Sequence, residues 1–236
     1  PRLRTLTAPL APATLRIGGT AADFAWYELP GTGPAPHGYA LTLDTVQVNG
    51  VVDFANDLDL ELLWTVNAGP GPRSEGAWDP SNTESLLTHL AARDAPLSLI
   101  ELGNEINAYP LMHGFTLDPS TWAGDLDTLA TVRDATFPRA ALAGPSSAYW
   151  PDAGEFVPYT ADAVAAAGDT LDVVTWHYYP QQSERCPLQT VPATPETMLD
   201  PAHLDEVAVW AAEVEAARDQ AGSDADIWLS ETGNAQ

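Results

Sequence analysis

Short apolar runs alternate with amphipathic stretches along these 236 residues. That is the pattern of buried strands joined by helical crossovers. The plainest run, Leu97-Ser98-Leu99-Ile100-Glu101-Leu102, stops abruptly at Gly103-Asn104-Glu105. A buried strand that ends in this way delivers polar groups to a pocket rim. Ile227-Trp228-Leu229-Ser230-Glu231-Thr232 repeats the grammar near the other end of the chain, with one carboxylate after an apolar run.

Taken in order, residues 2–12 read as the frayed end of a helix, and residues 14–20 as a strand running into a glycine turn. The pattern predicts a helix over 46–56, a strand over 60–66 and a Gly/Pro-rich loop to Pro80. Ser81-x-x-Glu84 has the form of a capping box for the next helix, whose buried face is Leu86, Leu87 and Leu90. Strand 97–102 follows. Asp118-Pro119 announces a helix carrying Trp122, Leu126, Leu129 and Val132, which ends before Pro138. Residues 140–143 form a short buried strand, 156–167 an alanine-rich helix, and 171–176 a strand ending in His177-Tyr178-Tyr179. Residues 180–199 hold four prolines and no periodicity, the mark of a functional loop. A helix over about 202–221 sets Leu204, Val207, Ala211 and Val214 on one face and stops at Gly222. Strand 226–230 closes the chain.

This gives six strands separated by helices, hence an α/β fold with a parallel sheet. Polar residues cluster after the strand C-termini: Thr20, Asn67, Glu105, Ser146, His177 and Glu231. A doubly wound sheet would concentrate its chemistry at one switch point. Chemistry after most strands is instead the rule of a (β/α)8 TIM barrel. Six units do not close eight strands. The expectation is one partial catalytic barrel over residues 1–236, about strands two to seven, with the first and eighth strands outside the chain.

Charge narrows the partners. Thirty-three acidic residues face nine basic ones, all arginine, for a net charge of −24. Such a surface repels nucleic acid, anionic membranes and long polyanions. A single cysteine, Cys186, rules out an intrachain disulfide. The five histidines never fall at ligand spacing, so neither a metal nor another cofactor is expected. No apolar stretch is long enough to span a bilayer, and no signal-peptide pattern is visible.

Two strand-end glutamates suggest a retaining glycosidase, in which an acid and a carboxylate stand about 5–5.5 Å apart across the scissile bond. Glu105 reads as the catalytic acid. Asn104 would bond the sugar hydroxyl beside the reacting carbon, and Tyr179 or His177 could hold and tune a carboxylate. Trp26, Tyr27, Trp78, Tyr109, Tyr149, Trp150 and Tyr178 could stack on sugar faces, with core packing as the competing fate of each.

At these residues the sequence resembles the heparanase and β-glucuronidase family of glycoside hydrolases, family 79, whose barrels carry catalytic glutamates after strands four and seven. The resemblance rests on five motifs in order: Leu15-Arg16-Ile17-Gly18-Gly19-Thr20 with Asp23-Phe24 following, Leu62-Leu63-Trp64-Thr65-Val66-Asn67-Ala68, Glu101-Leu102-Gly103-Asn104-Glu105-Ile106-Asn107, Val174-Thr175-Trp176-His177-Tyr178-Tyr179 and Trp228-Leu229-Ser230-Glu231-Thr232. It implies that Glu105 is the acid/base and Glu231 the nucleophile, with Thr20, Asn104, His177, Tyr179 and Tyr149 at the substrate. It also implies a carbohydrate substrate with a β-linked uronic acid, an extracellular or periplasmic location, and a β-sandwich domain beyond this chain. The sequence departs from the family at four places. Ile106 stands where many members have proline, and Tyr149 or Trp150 where heparanase-like members have glutamine. Glu184-Arg185 stands near an expected arginine, and Asn234-Ala235-Gln236 replaces a Tyr-Gly-Gly segment that reads the uronate. A retaining glycosidase on neutral sugars, or a silent glycan-binding barrel, is the alternative reading.

Overall fold

The structure, a computed structural model, describes residues 2–155, 157–186 and 188–233. It divides into two compact units, Pro1–Asn104 with Asp125–Leu142, and Glu105–Gly124 with Ala143–Gln236.

The first unit opens on helix α1 (Arg2–Thr7) and holds three parallel strands, β1 (Thr14–Ile17), β2 (Glu61–Val66) and β3 (Leu97–Leu102). Register is set by Leu15↔Leu62 and Ile17↔Trp64 on one side of β2, and Trp64↔Ile100 and Thr65↔Glu101 on the other. Leu62, Leu63, Trp64, Ile100 and Leu102 are fully buried. Each such side chain contributes roughly 1.5–3 kcal/mol to folding. Helix α2 (Thr45–Leu58) begins with a capping box in which Asp44 accepts from the Gln47 amide and Gln47 from the Asp44 amide. A two-stranded parallel pair, Ala25–Glu28 with Leu41–Asp44, interrupts the stretch before α2 and was not legible in the pattern.

Helix α3 (Ser81–Ala92) buries the expected Leu86, Leu87 and Leu90. Its capping box does not form. Ser81 already lies inside the helix, and its amide is received by the Asp79 carboxylate at 2.9 Å. Two prior residues, Asp79-Pro80, therefore start the helix, with proline occupying the position before the first turn.

The second unit carries β4 (Ala141–Tyr149), β5 (Val173–Tyr178) and β6 (Asp226–Thr232), again all parallel. Six parallel strands in chain order, with helices between, make an α/β partial (β/α)8 barrel. Strand β4 is longer than the expected 140–143. Gly144-Pro145 reads as a stop because proline has no amide to donate. The strand instead continues through it, with a register shift between Pro145 and Ser147. Gly144 is required there, since a Cβ would sit 2.5 Å from the Trp122 indole.

Helix α4 (Pro119–Thr136) starts where Asp118-Pro119 predicts. Asp118 accepts from the Thr121 amide at 3.0 Å and from the Thr121 and Ser120 hydroxyls at 2.6 and 2.7 Å. Those donors favour its charged form and hold its pKa down at about 2, against an ordinary 3.8. A depressed carboxylate stabilises the fold at pH above the ordinary value and loses that contribution as pH falls toward 2. In thermal melts stepped from pH 5 to pH 2, Asp118→Asn is expected to lose less stability than the wild type.

Helix α5 (Thr160–Ala167) begins later than the expected residue 156, which lies outside the described residues. The Glu155 carboxylate, accepting from the Tyr159 and Thr160 amides at 3.0 and 3.1 Å, is what launches it. The expected helix over 202–221 is broken at Glu206 into Pro201–Asp205 and α6 (Val207–Gln220). Glu206 is diverted to accept from the Tyr178 hydroxyl, the Trp210 indole and the Asp152 amide, and Leu204 stays exposed. Described residues of the 180–199 loop carry local structure: Gln182 bridges to Pro192, and Thr194 caps a turn of helix, Pro195–Met198. Among the described residues no helix is long and apolar enough to cross a membrane.

Candidate active site

In the second unit, β5 and β6 lie in a register that pairs His177 with Glu231. Between Leu229 and Glu231 the register shifts, so Ser230 is an extra residue on β6. A bulge of this kind re-aims the following side chain. Glu231 is thereby brought beside His177, with its Oε2 3.9 Å from His177 Nδ1. Its other oxygen accepts from the Tyr179 hydroxyl at 2.9 Å.

Glu105 begins the second unit. It is 5% exposed and holds a left-handed backbone at φ 53°, outside the range most non-glycine residues adopt. Its Oε1 lies 3.2 Å from His177 Nδ1. The other ring nitrogen, Nε2, is buried without a hydrogen-bond partner among the described residues. A proton there would be stranded at the cost of an unsatisfied donor. The network therefore assigns the proton to Nδ1, from which His177 donates to Glu105 when that carboxyl is ionised. Glu105, His177 and Glu231 each offer an atom within 4.8 Å of the others. The same three could hold a metal ion, a grouping that spacing along the sequence cannot reveal.

Asn107 braces this corner. Its amide group donates to the Ala148 carbonyl and accepts from the Ala148 amide, both at 2.9 Å, tying the turn after Glu105 to β4. Gln182, 1% exposed, accepts from the amides of Thr190 and Val191 and from the Thr190 hydroxyl, which gathers the proline-rich loop. Sequence patterning singled out neither role.

Tyr149, expected at the substrate, lines the small cleft at Glu105 with one edge of a buried ring that packs edge-on against Trp176 at 5.6 Å and beside Trp210 at 6.2 Å. Its hydroxyl meets Thr160, and burial, with Glu155 nearby, pushes its pKa up. The neighbouring Trp150 lines the same cleft and the larger one beside it. Tyr27, Trp78, Tyr109 and Tyr178 are likewise core residues rather than rim platforms.

In the first unit, Asn104 is held from two sides. Its backbone amide donates to the buried Asp23 carboxylate at 3.0 Å, whose other oxygen receives the Ala68 amide. Its side-chain oxygen accepts from Arg16 Nη2 at 3.0 Å. The side-chain NH2 has no partner among the described residues and is left to donate. Arg16 also binds Glu101, fully buried, through Nε at 2.9 Å, and Thr65 donates to the same Glu101 oxygen at 2.6 Å. Gly18 is obligatory here, because a Cβ would lie 2.4 Å from Thr65 Oγ1. Thr20 starts a 3-10 turn, Thr20–Phe24, that carries Asp23.

Removing one partner of a buried ion pair strands the other charge. Arg16→Met is expected to lower stability by about 3 kcal/mol. Arg16→Met with Glu101→Gln should recover most of that loss in urea unfolding.

Strand-end carboxylates a few ångström apart on a parallel α/β frame are compatible with a barrel glycoside hydrolase. The chain belongs to glycosyl hydrolase family 79: the model of that family's N-terminal domain matches residues 60–236, more than half of it. Heparanase of Gallus gallus is 25% identical over 283 residues, covering 100% of this chain and 52% of the relative. Inactive heparanase-2 of Homo sapiens is 29% identical over 140 residues, covering 58% of this chain and 23% of the relative. Among solved structures, a 4-O-α-L-rhamnosyl-β-D-glucuronidase from Fusarium oxysporum matches at TM-score 0.56 with 20% identity, over 94% of this chain and 47% of that one. A glucosidase from Croceicoccus marinus matches at TM-score 0.64 with 17% identity, over 99% and 47%. The structural likenesses bear out the barrel fold. The chain spans about half the length of the Gallus gallus relative.

Proposed function

We propose that this chain carries the catalytic centre of a retaining glycoside hydrolase that cleaves a β-linked uronic acid glycoside by double displacement. The observation that carries the reading is the approach of Glu105 and Glu231, whose nearest oxygens lie within 4.8 Å. Inverting enzymes hold their carboxyls about 6.5–9.5 Å apart to admit a water. Glu105 protonates the glycosidic oxygen as Glu231 attacks the anomeric carbon, and Glu105 then deprotonates the water that releases the sugar. Tyr179 orients the nucleophile through its Oε1. The His177 Nδ1–H meets the charge that appears on Glu105 once its proton has left. Asn104, its oxygen occupied by Arg16, presents an NH2 suited to a sugar hydroxyl.

The heparanase relatives and the glucuronidase fold match support a uronide. The net charge of −24 argues against a long sulfated polymer and for a small one. Asn234-Ala235-Gln236, where a uronate-reading segment was expected, lies outside the described residues. The inactive heparanase-2 relative gives the second reading, a silent glycan-binding barrel. Covalent probes of retaining glycosidases, in glucuronic and glucose configuration, separate these outcomes when labelled peptides are mapped by mass spectrometry. Glu231 labelled by the uronic probe supports the proposal. Labelling by the glucose probe alone would overturn the sugar, and absence of labelling in the folded full-length protein would leave the silent barrel.

A further inference from the structure

Tyr179 is the first residue past the end of β5, and its hydroxyl has to stay on the Glu231 oxygen that it orients. The last pair between β5 and β6 is Tyr178 with Thr232, so the register of the sheet stops one residue short of it. Past that point side chains take over. The helical turn Pro201–Asp205, with Glu206 just after it, reaches both chain neighbours of Tyr179. Glu206 accepts from the Tyr178 hydroxyl at 3.2 Å, and His203 donates from Nε2 to the Pro180 carbonyl. His203 Nδ1 faces the same Glu206 oxygen at 3.5 Å, which joins the two contacts into one clip. Resting on the glycosidase reading above, we propose that His203 is a positioning residue for the nucleophile, aiming the Tyr179 hydroxyl at Glu231 through the Pro180 peptide.

The direction of the contact is fixed by chemistry. A carbonyl can only accept, so Nε2 carries a proton where it meets Pro180. Proline supplies the second constraint. Its ring fixes φ at about −65°, and the soft backbone torsion left at that residue is the ψ that turns its carbonyl. A donor on the carbonyl therefore sets the course of the chain that leaves Tyr179. The neighbouring carbonyl, that of Tyr179 itself, receives the Gln182 amide group at 3.4 Å, which is long for such a bond. On its other side the Tyr179 ring lies against Gly233, where a Cβ would stand 3.2 Å from Cε1. The ring thus sits in a slot, with the chain after the nucleophile as one wall. At 2.9 Å its bond to Glu231 has little tolerance for a shift of the backbone. The clip is itself anchored. Glu206 also accepts from the Trp210 indole and the Asp152 amide, and Asp200 caps the turn by accepting from the Ala202 amide at 3.0 Å.

The test uses the full-length protein with phenyl β-glycosides of glucuronic and glucose configuration, whose poor leaving group makes attack by Glu231 limit the rate. The amide nitrogen of a glutamine reaches where histidine Nε2 stands, and that of an asparagine where Nδ1 stands. Two variants therefore part the two contacts. His203→Gln can still donate to Pro180 and is expected to keep kcat within about threefold of the wild type. His203→Asn addresses Glu206 alone and should lose at least about tenfold in kcat, with KM changed by less than about twofold. Thermal melts of both variants establish that each is folded. In a Tyr179→Phe background there is no hydroxyl to aim, so adding His203→Asn should cost less than about twofold more. Equal kcat for the Gln and Asn variants would overturn the assignment. So would an Asn loss that persists in full beside Tyr179→Phe, since a merely structural role is additive. Either result leaves the glycosidase reading standing. No turnover by the wild type, on these glycosides or on the matching glycosyl fluorides, sinks that reading and the role of His203 with it.

Discussion

Glu231→Gln is expected to reduce turnover on the order of 10⁴-fold while leaving the thermal melt within a degree or two of the wild type. The amide keeps the shape of the side chain and can still accept from Tyr179, so the fold has little reason to respond. What it loses is the negative oxygen that attacks the anomeric carbon. The measurement is kcat on an aryl uronide beside a melting curve. A drop below about tenfold would mean that Glu231 is not the nucleophile.

Glu105→Ala separates the two half-reactions. A general acid typically contributes about 10²–10⁴-fold, and its loss is felt in proportion to how badly the leaving group needs a proton. Hydrolysis of a phenyl or sugar glycoside should fall by that factor. A dinitrophenyl glycoside, which leaves as a stable anion, should still form the Glu231 ester and release a burst of phenol. Azide should then speed turnover several-fold and yield the β-glycosyl azide, because no carboxylate remains to repel it. If both substrates fall equally and azide does nothing, the residue is structural.

Much of the frame was legible. Strand 97–102 and the helix after Asp118-Pro119 were placed within a residue or two, because a continuous apolar run and a proline-led cap are local signals. Where nonlocal bonding decides, the local pattern misleads. Gly144-Pro145 looks like a strand end until the neighbouring strand takes up the register shift. Glu206 looks like an ordinary helical residue until Tyr178, Trp210 and Asp152 claim its carboxylate. Ser81-x-x-Glu84 has the letters of a capping box one position too late, and Asp79 takes the role.

The candidate site divides in the same way. Glu105, His177, Tyr179 and Glu231 were named from strand ends, and the structure brings them together. Tyr149 and Trp150 are adjacent and both line the cleft at Glu105, which strict strand alternation does not foretell. Asp23 and Asn107 stand in or beside the family motifs, but their roles, like that of Gln182, are not legible because each acts on backbone amides or carbonyls. A short polar side chain near a turn looks the same whether or not it braces a catalytic residue.

The left-handed backbone at Glu105 has an evolutionary consequence. Glycine accepts that conformation more readily than glutamate, but Glu105→Gly also removes the acceptor of the buried His177 Nδ1–H. Relief of strain and loss of the bond oppose one another, so the net change in urea unfolding should stay within about 1 kcal/mol while acid catalysis is abolished. Drift at this codon therefore meets little resistance from the fold. Only continued selection for turnover would keep the carboxyl in place, and a lineage released from it would first reveal the fact at this position.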